Sequence, residues 1–211
     1  MPPSVGDVSL GLVRWSDVLE PWERTLAVFV DSVGERLNWM LVGSAASVLH
    51  GAAIVPGDVD ILVHPDTSDE MMLAELVPLT PYAASDTTDD LTAFASTQER
   101  PLLATADGSW LFGRWTVAGS TLEVARIREP VARHAVLETL GTAVWDHRQH
   151  VRWRGRSVPV VPLEVQLATI VARGLTDRER AVRARLAETG ARGELLRRAF
   201  FDRGIAGEAV H

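Results

Sequence analysis

The stretch Pro56-Gly57-Asp58-Val59-Asp60-Ile61-Leu62-Val63 alternates carboxylate with aliphatic and then turns wholly apolar. A strand accommodates both halves. It places residues i and i+2 on one face, so Asp58 and Asp60 project together while Val59 and Ile61 enter a core. Two carboxylates one pleat apart repel each other unless a cation sits between them. Oxygen donors at that spacing suit Mg²⁺, or Mn²⁺ in its place, with the remaining positions kept for water and substrate phosphates. Cysteine is absent, which excludes disulfides and thiolate sites and leaves oxygen ligands as the metal option.

Just upstream, Trp39-Met40-Leu41-Val42 reads as an apolar strand running into Gly43-Ser44 and a helix-like stretch that ends at His50-Gly51. That order brings free backbone N–H groups to a helix N-terminus, where a phosphate can bind. Each piece also has a structural explanation. An isolated Asp-x-Asp is often a solvated turn, and Gly-Ser is a common strand-to-helix junction. His50 beside Gly51 is more simply a hydrogen-bonded structural histidine than a nucleotide contact. The combination, with Ser44 fourteen positions ahead of Asp58, points instead to chemistry on a nucleoside triphosphate.

Taken together, Gly43-Ser44, the helix carrying Leu49-His50-Gly51 and the run Asp58-Val59-Asp60-Ile61 resemble the signature of the nucleotidyltransferase superfamily. Its members share a Gly-Gly/Ser turn followed by Asp-x-Asp. The resemblance extends over roughly residues 36 to 185 and implies a third carboxylate on a later strand. Glu123 fits that role, since Leu122 and Val124 alternate with it. The small members that this chain is most similar to include toxins of abortive-infection toxin–antitoxin systems. In those, too, a segment like Val161-Pro162-Leu163-Glu164 opens a helical C-terminal part. Two departures stand out: Val55-Pro56-Gly57 where relatives often carry a basic or hydroxyl residue, and Ile170 where toxin-like members often carry lysine.

The resemblance implies an enzyme in which Asp58, Asp60 and Glu123 hold two Mg²⁺ ions and Gly43 and Ser44 bind the triphosphate of ATP or another NTP. The acceptor hydroxyl would belong to RNA or to a small molecule such as an antibiotic, and a cognate antitoxin is an expected partner. A non-catalytic partner-binding module on the same fold is the alternative from another class.

Charge is divided along the chain. Residues 1–146 hold 8 Arg against 21 Asp and Glu, and residues 147–203 hold 13 Arg against 6, with no lysine anywhere. An acidic lobe carrying a metal site and a basic lobe meeting phosphates is the simplest reading. A cationic aminoglycoside would also suit the acidic lobe. Among the basic residues, Arg173, Arg178, Arg180, Arg183 and Arg185 fall on two successive helical segments, and Arg173 is the foremost candidate for a phosphate contact. The competing explanation is surface pairing with Glu179 and Glu188.

The periodicity predicts a helix over 16–37 capped by Ser16, the strand–turn–helix of 39–51, and the Asp strand of 58–63. It continues with a helix from Glu70 and irregular chain over 78–100. Strands are expected over Leu102–Ala106, Trp110–Val117 and Thr121–Ile127, then a helix from Pro130 to Leu140. A turn at Arg154-Gly155 precedes a last strand, Ser157–Val161. Helices at 163–173, 176–188 and 191–203, stopped by Gly174 and Gly190, complete the chain. The expected class is α/β: a small mixed sheet with flanking helices over residues 1–162 and a helical portion over 163–211 beside the cleft. No apolar run reaches the length of a membrane span and the N-terminus has no signal-like pattern, so a cytoplasmic protein is expected.

Overall fold

The computed structural model describes residues 19–82, 93–105, 109–128 and 144–205. The expected helix from Pro130 to Leu140, the cap Ser16 and the acidic residues Asp86, Asp89 and Asp90 lie outside the described residues.

The first helix, α1 (Pro21–Ser32), begins where proline's fixed φ and missing N–H suit the first helical position. Glu20 and Glu23 close a reciprocal capping box, so the helix starts later than residue 16. A single 3₁₀ turn, Gly34–Arg36, leads to β1 (Trp39–Val42), α2 (Gly43–Leu49) and β2 (Asp58–Val63). Ser68 caps α3 (Asp69–Leu76) by accepting the Met71 N–H at 3.2 Å. The chain then builds β3 (Leu103–Ala104), β4 (Trp110–Val117), β5 (Ser120–Ile127), β6 (Gln149–Trp153) and β7 (Arg156–Val160). Three helices follow: α4 (Leu163–Ala172), α5 (Thr176–Thr189) and α6 (Gly193–Asp202).

Among the described residues, all seven strands join one mixed sheet in the order β3-β4-β5-β2-β1-β7-β6. The pairs β2–β5 and β1–β7 are parallel, and the other neighbours are antiparallel. This is the expected α/β architecture, with two differences in its strands. β3 is shorter than Leu102–Ala106, and Gln149–Trp153 forms a strand where only its turn was anticipated. Arg154 and Gly155, at φ 47° and 79°, provide the left-handed pair that a tight hairpin needs, so the residues before the turn fold back on β7.

Burial alternates along the strands that carry the site. Val59, Ile61, Val63, Leu122 and Val124 are enclosed, whereas Asp58, Asp60, Thr121, Glu123 and Ala125 are only partly covered. The enclosed face joins Trp22, Leu26 and Phe29 of α1 in one core, and the Thr25 hydroxyl donates to the Val117 carbonyl. The same core continues into the C-terminal helices through Leu167, Val182, Leu195 and Phe200. There Glu164, buried in the first turn of α4, accepts the Arg192 backbone N–H at 2.9 Å and its guanidinium at 3.1 and 3.2 Å. Burial pushes the Glu164 carboxyl up, but these hydrogen bonds from Arg192 outweigh it and leave the group below its usual range. The Val-Pro-Leu-Glu segment thus ties the start of α6 to α4.

Candidate active site

Gly43, Asp58, Asp60, Glu123 and Arg173 line one cavity of about 360 Å³, together with Arg178, Trp110 and Phe112. The sheet explains why. Asp60 pairs with Val42 on one side and Glu123 on the other, and Glu123 pairs with Arg114, so these four residues cross the sheet as one row. Directly paired residues share a face. Asp58 lies one pleat nearer the strand start, opposite Thr121. The Asp-x-Asp pair and the third carboxylate therefore come together across adjacent parallel strands, 63 positions apart in the chain.

Gly43 opens α2 with φ +69°, a left-handed conformation that favours glycine. A Cβ there would lie 2.1 Å from Asp60 Oδ2, so the absent side chain makes room for this carboxylate. Ser44 is not on the cavity wall. It is buried in the first turn of α2, and its hydroxyl has no hydrogen-bond partner among the described residues.

Two arginines of the C-terminal helices line the same cavity as the carboxylates. Arg173 is the C-cap of α4 and Arg178 lies in the first turns of α5, with Gly174 at φ +66° turning the chain between them. Neither makes an ion pair or hydrogen bond through its side chain among the described residues. Arg180, Arg183 and Arg185 do, to Asp177, Glu179 and Glu188 respectively, and Arg185 also donates to the His50 carbonyl at 2.7 Å. Surface pairing thus accounts for these three, and the cavity takes Arg173 and Arg178. His50 is structural: its Nε2 lies 2.8 Å from the Val161 carbonyl oxygen, and burial lowers its pKa below the usual histidine value.

Arg114 is the residue that sequence reasoning missed. Its Nε donates to Glu123 Oε1 at 2.7 Å, its Nη1 reaches the Phe94 carbonyl at 3.4 Å, and its guanidinium lies 5.3 Å from the Phe112 ring centre. A signal existed in the turn Ala118-Gly119. Both residues have positive φ, and counting outward from such a two-residue hairpin pairs residue 114 with 123.

Arg114 on β4 ion-pairs with Glu123. Among the described residues, no three carboxylate or histidine side chains converge on a common point. The donor chemistry nonetheless fits Mg²⁺. The Asp58 side chain has no hydrogen-bond or ion-pair partner among the described residues, Asp60 is accommodated by Gly43, and Glu123 retains Oε2 beside the oxygen that Arg114 occupies. An arginine on one carboxylate oxygen can orient the other as outer-shell partners of metal ligands do.

No family model and no curated protein sequence matches the chain. Among solved structures, it is similar to a crystal structure of a Thermotoga maritima protein described as a "putative nucleotidyltransferase". The identity is 17%, with 78% of this chain and 92% of that chain covered and a TM-score of 0.45. At that distance the likeness assigns no residue a role. No described helix is long and apolar enough to cross a membrane.

Proposed function

We propose that this cleft transfers a nucleoside monophosphate from a nucleoside triphosphate to an acceptor hydroxyl. The observation that carries the proposal is the juxtaposition within one cavity: Asp58, Asp60 and Glu123 on the sheet, with Arg173 and Arg178 of the C-terminal helices, whose side chains have no partner among the described residues. A carboxylate cluster alone repels a triphosphate. A carboxylate cluster facing two arginines can receive one, with cations between.

Asp58, Asp60 and Glu123 would hold Mg²⁺. When bound, the metal neutralises charge on the attacking and leaving oxygens of an in-line displacement and lowers the acceptor hydroxyl's pKa. Arg173 and Arg178 grip the outer phosphates, for which the planar guanidinium fork is suited. The backbone of Gly43 and Ser44 supplies N–H groups to the triphosphate on the β1 side. The acceptor oxygen bonds to the α-phosphorus as the bond from that phosphorus to the bridging oxygen breaks. Pyrophosphate leaves with the bonding pair, and the hydroxyl proton passes to a carboxylate of the site.

Labelled ATP, GTP, CTP and UTP offered with RNA and small-molecule acceptors, with pyrophosphate release as readout, provide the test. Asp58→Ala and Asp60→Ala should each abolish transfer and leave the melting temperature within a few degrees of wild type. Full activity in either variant would falsify the assignment. A partner-binding module on this fold would bind neither NTP nor Mg²⁺, so equilibrium titration with both separates that reading.

A further inference from the structure

Two helices keep the same spacing between a cavity residue and a point where they meet. Gly43 and His50 stand seven residues apart at the two ends of α2, and Arg178 and Arg185 stand seven apart on α5. At 1.5 Å per helical residue, each pair spans about 10 Å. Gly43 and Arg178 both line the cavity. Their counterparts are bonded to each other, Arg185 Nε donating to the His50 carbonyl at 2.7 Å.

Gly51 makes that bond possible. Its φ of +93° is left-handed, and a Cβ there would lie 2.8 Å from Arg185 Nε and 3.0 Å from its Cζ. The guanidinium thus sits where a side chain would otherwise be. Its Nη1 also donates to Glu188 Oε2 at 3.1 Å within α5, so two nitrogens of the fork are engaged at once.

His50 reaches the preceding helix as well. Its Nε2 lies 2.8 Å from the carbonyl oxygen of Val161, one residue before the Pro162 N-cap of α4. On α5, Arg178, Val182 and Arg185 follow at i, i+4 and i+7 on one face, and Val182 is fully enclosed. The helix otherwise packs chiefly against α4. The Arg185 bond therefore ties α5 directly to the helix that opens at Gly43.

We infer that Arg185, seated on His50-Gly51, is a positioning residue for a polyphosphate chain. It holds Arg178 at a fixed distance from the Gly43 cradle, so that both meet the same phosphates. The ligand's class rests on the transfer reading. Arg185 is not among the residues that line the cavity, and its own charge, about 10 Å along the helix from Arg178, is largely screened at physiological salt. Its effect on the ligand is exerted through where it places α5.

Calorimetric titration with inorganic tripolyphosphate and Mg²⁺, at physiological salt, tests this without nucleotide or turnover. Arg185→Met keeps the aliphatic length and removes the donor. It should bind about ten-fold more weakly, the order of one charge-assisted phosphate contact. Arg185→Lys, which can still donate to the His50 carbonyl, should recover most of the loss. Gly51→Ala, which fills the seat of the guanidinium, should weaken binding as Arg185→Met does. Thermal melts confirm that each variant is folded. The deciding comparison is a double-mutant cycle with Arg178→Ala. That variant alone should also lose about ten-fold, and adding Arg185→Met should cost no more than about two-fold further, because the group being placed is already gone.

Unchanged affinity in Arg185→Met overturns the inference, as does a wild type that does not bind the probe. A further full ten-fold loss in the Arg178→Ala background overturns it too, because Arg185 then acts by its charge or by general stability. Pyrophosphate release from NTP, measured separately, reports on the transfer reading. A wild type that shows the coupling and releases no pyrophosphate would sink that reading and leave the positioning role standing.

Discussion

Gly43 is the residue at which backbone and chemistry constrain each other most closely. Its positive φ is one that a side chain resists at about 1–2 kcal/mol, and an added Cβ would meet Asp60 Oδ2 at 2.1 Å. Gly43→Ala should lower the melting temperature by about 5 °C, as expected for that strain in a chain of this size. It should also cut transfer at least a hundred-fold by moving Asp60. Differential scanning calorimetry beside pyrophosphate release checks both effects, and an active variant with unchanged melting would show that the close approach is immaterial. Residues such as Gly43, Asp58 and Asp60 are legible in sequence because they lie within two consecutive elements, where spacing alone brings them together. Arg114 was not, since its partner Glu123 is an ordinary strand glutamate until the hairpin register is counted. Ser44 was legible as a junction residue, but its enclosure depends on packing that no local pattern encodes.

Elements were easier to read than their edges. The three C-terminal helices follow from hydrophobic period and glycine stops, and the α4–α5 break at Gly174 falls where expected. β6 was missed because its sequence, Gln149-His-Val-Arg-Trp153, carries a single aliphatic residue and gains its strand character from pairing with β7. The role of Val-Pro-Leu-Glu was likewise hidden. Glu164 is a buried carboxylate whose partner, Arg192, lies 28 positions away. Glu164→Ala should destabilise by about 2 kcal/mol, below the usual figure for a broken buried pair because Arg192 is itself half exposed. The pH dependence has a definite sign. The folded carboxyl titrates below its ordinary value of 4.5, so its stabilisation is complete above that pH and lost as pH falls through the folded value. Thermal melts of wild type and Glu164→Gln should therefore differ most above pH 5 and converge in stronger acid. A gap that widens in acid would contradict the clamp.

At the scale of the whole molecule, the charge division of the sequence becomes a cleft with an acidic floor and a basic wall. Most arginines of α5 are neutralised within their own helix, so the formal excess overstates what a ligand meets. Arg173 and Arg178 remain for it. Replacing either with alanine should weaken NTP binding about ten-fold, the order of one charge-assisted phosphate contact. Arg180→Ala should have no effect, because its guanidinium is already engaged by Asp177. Calorimetric titration at two salt concentrations checks this, and equal losses at all three positions would mean that the wall acts only through diffuse charge. The alternation around the carboxylates of β2 and β5 has a consequence for how such a protein can diversify. Asp58, Asp60, Glu123 and Ala125 line the cleft, while Val59, Leu122 and Val124 between them hold the core. Substrate preference and folding are therefore written in interleaved letters of the same short strands. A lineage can rewrite one set while the other stays fixed, so relatives can diverge at the cleft while keeping the buried pattern.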